Sequence, residues 1–194
     1  MTESNLAVEK KKLRGRMLHQ RDALTPAEIQ RKSLRVVGNV LTLPEFQTAK
    51  IVACYVNKGS EVETKPIIRN VLTSSKKVLV PTVTGERDLV FSELRSLEEL
   101  VPGTFGILEP QPDLTRPRSL ETVDLAFIPG IVWDSQGYRV GWGKGYFDAV
   151  LERLPSWATS IGLTYDQQVV ERVPREEFDL PVDLIVTETR VIRL

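Results

Sequence analysis

The chain has 194 residues, 41% of them hydrophobic and 27% charged, with 26 basic side chains against 26 acidic ones. Such a chain can bury roughly 70% of its unfolded surface, which suits one globular domain spanning 1–194. Charge neutrality argues against a protein steered as a whole to nucleic acid or an anionic membrane. One cysteine and one histidine exclude a disulfide framework and argue against a Cys/His zinc site or a Cys–His pair.

Residues 4–22 read as a basic amphipathic helix, with Leu6, Leu13, Met17 and Leu24 at inward positions. Residues 1–35 carry nine basic side chains and four acidic ones, and on charge alone that excess is a solvated helix face. "TPAE" from Thr25 starts a second helix, because Thr25 can cap, Pro26 suits the first position and Glu28 can close a capping box. That helix is expected to run to about Leu43. "KIVACYV" is an apolar strand, so Cys54 reads as a core residue. "ETKPIIRNVLTS" reads as a short helix. "KKVLVPTV" and "DLVFSEL" are strands joined by a turn at "TGERD".

Residues 101–120, rich in proline and polar side chains, read as one long loop, and loops of that length are often functional. "VDLAFIPGIVW" reads as a buried strand, and "YFDAVLERL" as a helix closed by Pro155. "ATSIGLTY" and "PVDLIVTET" are the last strands. Strands alternating with helices predict an α/β fold, a mostly parallel sheet flanked by helices in a three-layer sandwich. With no apolar signal region at the start and no membrane-length apolar run, a cytoplasmic protein is expected.

Between strand and helix lies "RVGWGKGYFD", Arg139 to Asp148, with glycines at alternating positions around Lys144. Glycines let a backbone approach phosphate oxygens, a helix N-terminus adds N–H donors, and Lys144 adds a charge, so the stretch reads as a phosphate cradle. It is neither a Walker A loop, since Tyr138 and Gly145 stand where glycine and Ser/Thr are required, nor a GxGxxG turn.

"IPGIVWDSQGYRVGWGKGYFDAVLERL" resembles the signature PGxxFDxxGxRxGxGxGYYD of the 5-formyltetrahydrofolate cyclo-ligase family. "KKKLRGRM", "SEVETKPII", "FGILEP" and "EEFDLPVD" extend the resemblance over nearly the whole chain. The resemblance implies conversion of 5-formyltetrahydrofolate and MgATP to 5,10-methenyltetrahydrofolate, ADP and phosphate, through phosphorylation of the formyl oxygen and attack by N10. It assigns ATP to Lys10, Arg14, Arg139, Gly141, Trp142, Gly143, Lys144, Gly145, Tyr146 and Phe147. Mg²⁺ falls to Asp148 and Asp179, and the folate to Lys58, Glu63, Phe105 and Tyr146. Lys144, Glu63 and Tyr146 are the expected catalytic residues. The expected partner is a small-molecule folate, free or polyglutamylated, bound by a monomer.

Each assignment has a plainer counterpart. Asp148 could be a helix-dipole acid, and Glu63 a first-turn acid of the helix that follows it. Trp142 departs from the arginine or small residue of the family pattern, and Phe147 lacks the hydroxyl of the second tyrosine. A non-catalytic folate- or nucleotide-binding relative would keep the fold without turnover. Nucleic-acid binding through the basic first helix finds no support in a recognisable motif.

Overall fold

Residues 5–85 and 88–194 are described by the computed structural model of the chain. Three helices come first, α1 (Asn5–Asp22), α2 (Pro26–Leu41) and α3 (Pro44–Thr48). β1 (Ile51–Ala53), α4 (Lys65–Leu72), β2 (Lys77–Val83) and β3 (Leu89–Leu94) follow. Then come the short strands β4 (Leu100–Pro102), β5 (Leu108–Pro110) and β6 (Pro117–Arg118). Next are β7 (Leu125–Ile128), β8 (Val132–Asp134), β9 (Arg139–Val140) and α5 (Tyr146–Arg153). The chain closes with β10 (Thr159–Leu163), β11 (Val169–Val170), β12 (Leu184–Val186) and β13 (Val191–Arg193).

Eight strands form one sheet in the order β13-β12-β10-β7-β1-β2-β3-β6. The five from β12 to β2 are parallel, and antiparallel strands border them on both sides. Alternation along the strands splits the core in two. Val52, Cys54, Val78, Val80 and Phe127 point to a layer built from α2, α3 and α4. Ala53, Leu79, Ala126, Ile128 and Ile185 point the other way, toward Val150 of α5 and Trp133 of β8. Strands apolar on both faces need cover on both faces, and the expected three-layer, mostly parallel α/β architecture results.

The local signals are visible in the helix ends. Glu28 donates its backbone N–H to the Thr25 hydroxyl at 3.3 Å, and the Glu28 carboxylate accepts the Thr25 N–H at 2.9 Å. A box of this kind satisfies donors that the first helical turn cannot. α1 turns Met17 and the half-buried Leu13 inward against Ile131, Val132, Val140 and Val173. Its inward stripe also includes Arg21, which is only 2% exposed. No helix among the described residues is long and apolar enough to cross a membrane.

Three expectations need correction. "VDLAFIPGIVW" is not one strand: Pro129 has no N–H for the ladder, so the sheet strand ends at Ile128. Beyond it, β8 joins β11 and β9 in a separate three-stranded sheet. There the ring of Trp133 packs so close to Gly162 of β10 that an added Cβ would lie 2.6 Å from it. Residues 101–120 are not one loop, because β4 and β5 pair as a hairpin whose Gly103 N–H meets the Ile107 carbonyl at 2.8 Å. The second helix stops at Leu41, before Pro44 opens α3.

Candidate active site

A cavity of about 360 Å³ opens beyond the carboxyl ends of the parallel strands. This is where open α/β sheets place their ligands, because strand ends and helix starts leave backbone groups unpaired there. Val56 and Lys58 follow β1, Pro81 and Val83 end β2, and Pro129 follows β7. The β4–β5 hairpin lends Phe105 and Ile107 to an apolar wall.

The opposite wall is charged. Lys10 and Arg14 reach it from α1, four residues apart on one face. Arg14 Nε donates to the Gly141 carbonyl at 2.8 Å, and Lys10 pairs with Asp179 at 2.7 Å. Gly143 and Gly145 have φ of +91° and +74°, the left-handed region that glycine enters freely. Those two turns carry the loop from β9 into α5, with Gly145 as its N-cap. Lys144 stands exposed between them and pairs with no carboxylate among the described residues. Arg139 is buried and bonds Asp148 at 2.6 Å. Burial pulls its guanidinium below the ordinary value, and Asp148 and Asp179 offset part of that loss.

A carboxylate faces the cavity between these walls. Glu61 is 7% exposed, with one oxygen accepting the Lys58 backbone N–H at 2.9 Å and the other the Trp142 indole N–H at 3.1 Å. Burial pushes its carboxyl above the ordinary range, and those two donors with the charges of Arg21 and Lys58 pull it partly back. Phe105 is the one non-glycine residue with positive φ among those described, at +57°, and its ring is 54% exposed. An aromatic ring held in a strained turn at a cavity wall is placed for stacking rather than for the core.

Asp148 and Asp179 both line the cavity, but no group of three metal-ligating side chains occurs among the described residues. Two carboxylates suit a hard cation such as Mg²⁺ when a ligand's phosphates complete its shell. The donor set therefore fits Mg²⁺ shared with phosphates rather than Mg²⁺ held by protein alone.

The profile of the 5-formyltetrahydrofolate cyclo-ligase family matches residues 7–188. The chain belongs to that family. A 5-formyltetrahydrofolate cyclo-ligase of Escherichia coli (strain K12) is 30% identical over 175 residues, covering 89% of this chain and 96% of its own length. The Mus musculus cyclo-ligase is 30% identical over 191 residues, covering 92% and 93%. The solution structure of Aquifex aeolicus 5,10-methenyltetrahydrofolate synthetase superposes with a TM-score of 0.85 at 39% identity, covering 95% of this chain and 92% of its own. Relatives with these names identify the chain as an enzyme of a ligase family.

Of the residues that the resemblance to the cyclo-ligase family singles out, all but one line the cavity. Lys10, Arg14, Lys58, Phe105, Arg139, Asp179 and the stretch from Gly141 to Asp148 converge there, although they come from five separate segments. Glu63 does not. Its backbone N–H donates to the Ser33 hydroxyl of α2 at 3.0 Å, and it is not among the residues that line the cavity. Glu61, two residues earlier in the same "SEVET" stretch, faces the cavity instead. Arg21 and Glu109 are also functional candidates that sequence reasoning missed. Glu109 is 8% exposed in the cavity wall, and its carboxylate accepts the Thr104 N–H at 3.2 Å. Glu109 stands in the "FGILEP" stretch, where the resemblance singles out only the aromatic Phe105, whereas Arg21 stands in no quoted motif and a charge in the inward stripe of α1 was its only signal.

Proposed function

We propose that the chain converts 5-formyltetrahydrofolate and MgATP to 5,10-methenyltetrahydrofolate, ADP and phosphate. The observation that carries this reading is the meeting, in one cavity, of a cation-lined glycine loop with a buried acid and an apolar aromatic wall. A formamide oxygen is a poor leaving group, so the reaction needs that oxygen phosphorylated first. The formyl oxygen takes the γ-phosphoryl group as the β–γ bond breaks and ADP leaves. N10 then bonds to the formyl carbon, and the carbon–oxygen bond breaks, with the N10 proton and the formyl oxygen both leaving in the phosphate.

Phosphoryl transfer asks a protein mainly for positioning and for charge around the moving group. Lys144, Lys10, Arg14 and Arg139 would hold the phosphates, with loop N–H groups beside them. Asp148 and Asp179 would hold Mg²⁺, which supplies neutralising charge when bound. Glu61, rather than Glu63, would face the folate and stabilise positive charge as the formyl carbon becomes iminium-like. Phe105 and Tyr146 would pack on the pterin or its ring substituents.

The test is an absorbance scan of 5-formyltetrahydrofolate with enzyme, with and without MgATP. Growth of the methenyl band only with MgATP, matched by phosphate release, is the expected result. Binding of either ligand with no phosphate released would replace this reading with that of a non-catalytic relative.

A further inference from the structure

The glycine loop and the buried acid are joined by one side chain. Trp142 belongs to the loop, yet its indole N–H reaches across the cavity to Glu61 at 3.1 Å. The Arg21 guanidinium and the Lys58 ammonium each lie 5.9 Å from the centre of the same ring, within reach of its negative face. Arg21 is in turn held from below, its Nε donating to the Ser60 hydroxyl at 2.9 Å. We propose that Trp142 is a positioning residue: it fixes the Glu61 carboxylate toward the folate and ties that acid to the loop that takes the nucleotide.

The alternative is that the ring only fills space. Trp142 is 52% exposed, so the ring itself buries little, and a filler would have no reason to aim its one donor at a buried carboxylate. The groups that face Glu61 are few. Arg21 comes from α1, Lys58 contributes its backbone N–H and its charge, and the Tyr55 phenol lies near at the end of β1. The Tyr165 hydroxyl, which also meets the Ser33 hydroxyl at 2.9 Å, donates to the Glu61 backbone carbonyl at 3.3 Å and not to its carboxylate. Among these, Trp142 alone donates a side-chain hydrogen bond to the carboxylate. Removing that donor favours the protonated acid, because the hydrogen bond stabilises the charged form.

The inference rests on the proposed role of Glu61, so its test needs a readout that does not depend on turnover. Glutamate labelled with ¹³C at the carboxyl carbon, with Glu61→Gln to assign the resonance, reports the ionisation of Glu61 directly. Trp142→Phe keeps a ring and loses the donor. Trp142→Arg loses the ring but supplies donors and a charge. In Trp142→Phe the Glu61 midpoint is expected to move up by about one pH unit, the size of one hydrogen bond to a charged group. The acid limb of kcat/KM for 5-formyltetrahydrofolate should move with it. In Trp142→Arg the midpoint should return to the wild-type value or fall below it. An unchanged midpoint in Trp142→Phe overturns the proposal, as does a Trp142→Arg midpoint above that of Trp142→Phe. A wild-type protein that makes no methenyl product would overturn the proposed function, and the carboxyl titration would still decide the role of Trp142.

Discussion

Lys144 stands on bare backbone at the mouth of the cavity, so its substitution should separate binding from folding. Lys144→Ala is expected to weaken ATP binding by about 10- to 100-fold, the value of a charge-assisted contact, while the melting temperature stays close to wild type. Calorimetric titration with ATP and a thermal melt check both halves. The two neighbouring glutamates give a sharper contrast. Glu61→Gln should lower turnover by about 100-fold while ATP affinity holds, since removing a charge that acts mainly in the transition state lowers kcat. Glu63→Gln should behave like the wild type in the same assay. Asp148→Asn and Asp179→Asn should each need more Mg²⁺ for half-maximal rate; a normal Mg²⁺ curve in both would remove them from the metal site. Lys144 was legible in the sequence because the loop carries its own signature, glycines at alternating positions around a lysine, whereas the roles of Asp148 and Asp179 came only from the resemblance to the family. The choice between Glu61 and Glu63 was not legible. It depends on a hydroxyl from Ser33 and an indole from Trp142, partners 30 and 81 residues away in the chain.

Among the elements, the β4–β5 hairpin decides the shape of the apolar wall, and one ion pair holds its base. Arg116 grips Glu99 with two guanidinium nitrogens, at 2.8 and 3.1 Å. The hydrogen bonds from Arg116 hold the Glu99 carboxyl below its ordinary value of 4.5, with desolvation opposing them. The folded-state value is thus depressed, so the pair's stabilisation is complete above the unfolded value and is lost as pH falls through the folded one. Melts of wild type and Glu99→Gln should differ by a constant amount above about pH 5 and converge in more acid solution. The hairpin tip bears the left-handed Phe105, a conformation that costs a non-glycine residue about 1–2 kcal/mol. Phe105→Gly should therefore leave the melting temperature near wild type while raising KM for the folate by about 2- to 10-fold, the worth of a stacked ring. Neither the hairpin nor its strained tip could be read from "VPGTFGILEPQP". Its prolines and glycines announce a chain reversal, but the pairing that defines a strand is made by a partner segment, not by local preference.

For the molecule as a whole, alternation of strands and helices was enough to give the layers, because two apolar faces on a strand require two covers. The strand order and the antiparallel borders were not legible, since many orders satisfy the same apolar pattern. The break at Pro129 was visible residue by residue but was outweighed by the apolar run around it. Because the cavity draws on segments from α1 to the loop before β12, ligand binding should stabilise the fold globally. ATP at 100 times its Kd should add about 2.7 kcal/mol, raising the melting temperature by several degrees in a single transition. A second, unshifted transition in the scan would show that part of the chain unfolds independently of the site. The contact between Lys10 and Asp179 bridges 169 positions of sequence, so one side of the charged wall is synthesised well before the other. A ribosome that has made everything up to β11 has released a first helix whose acidic partner does not yet exist. A chain made only as far as β11 therefore carries the glycine loop without the acid that anchors Lys10, so on the proposed function a nucleotide should bind it more weakly than it binds the finished protein.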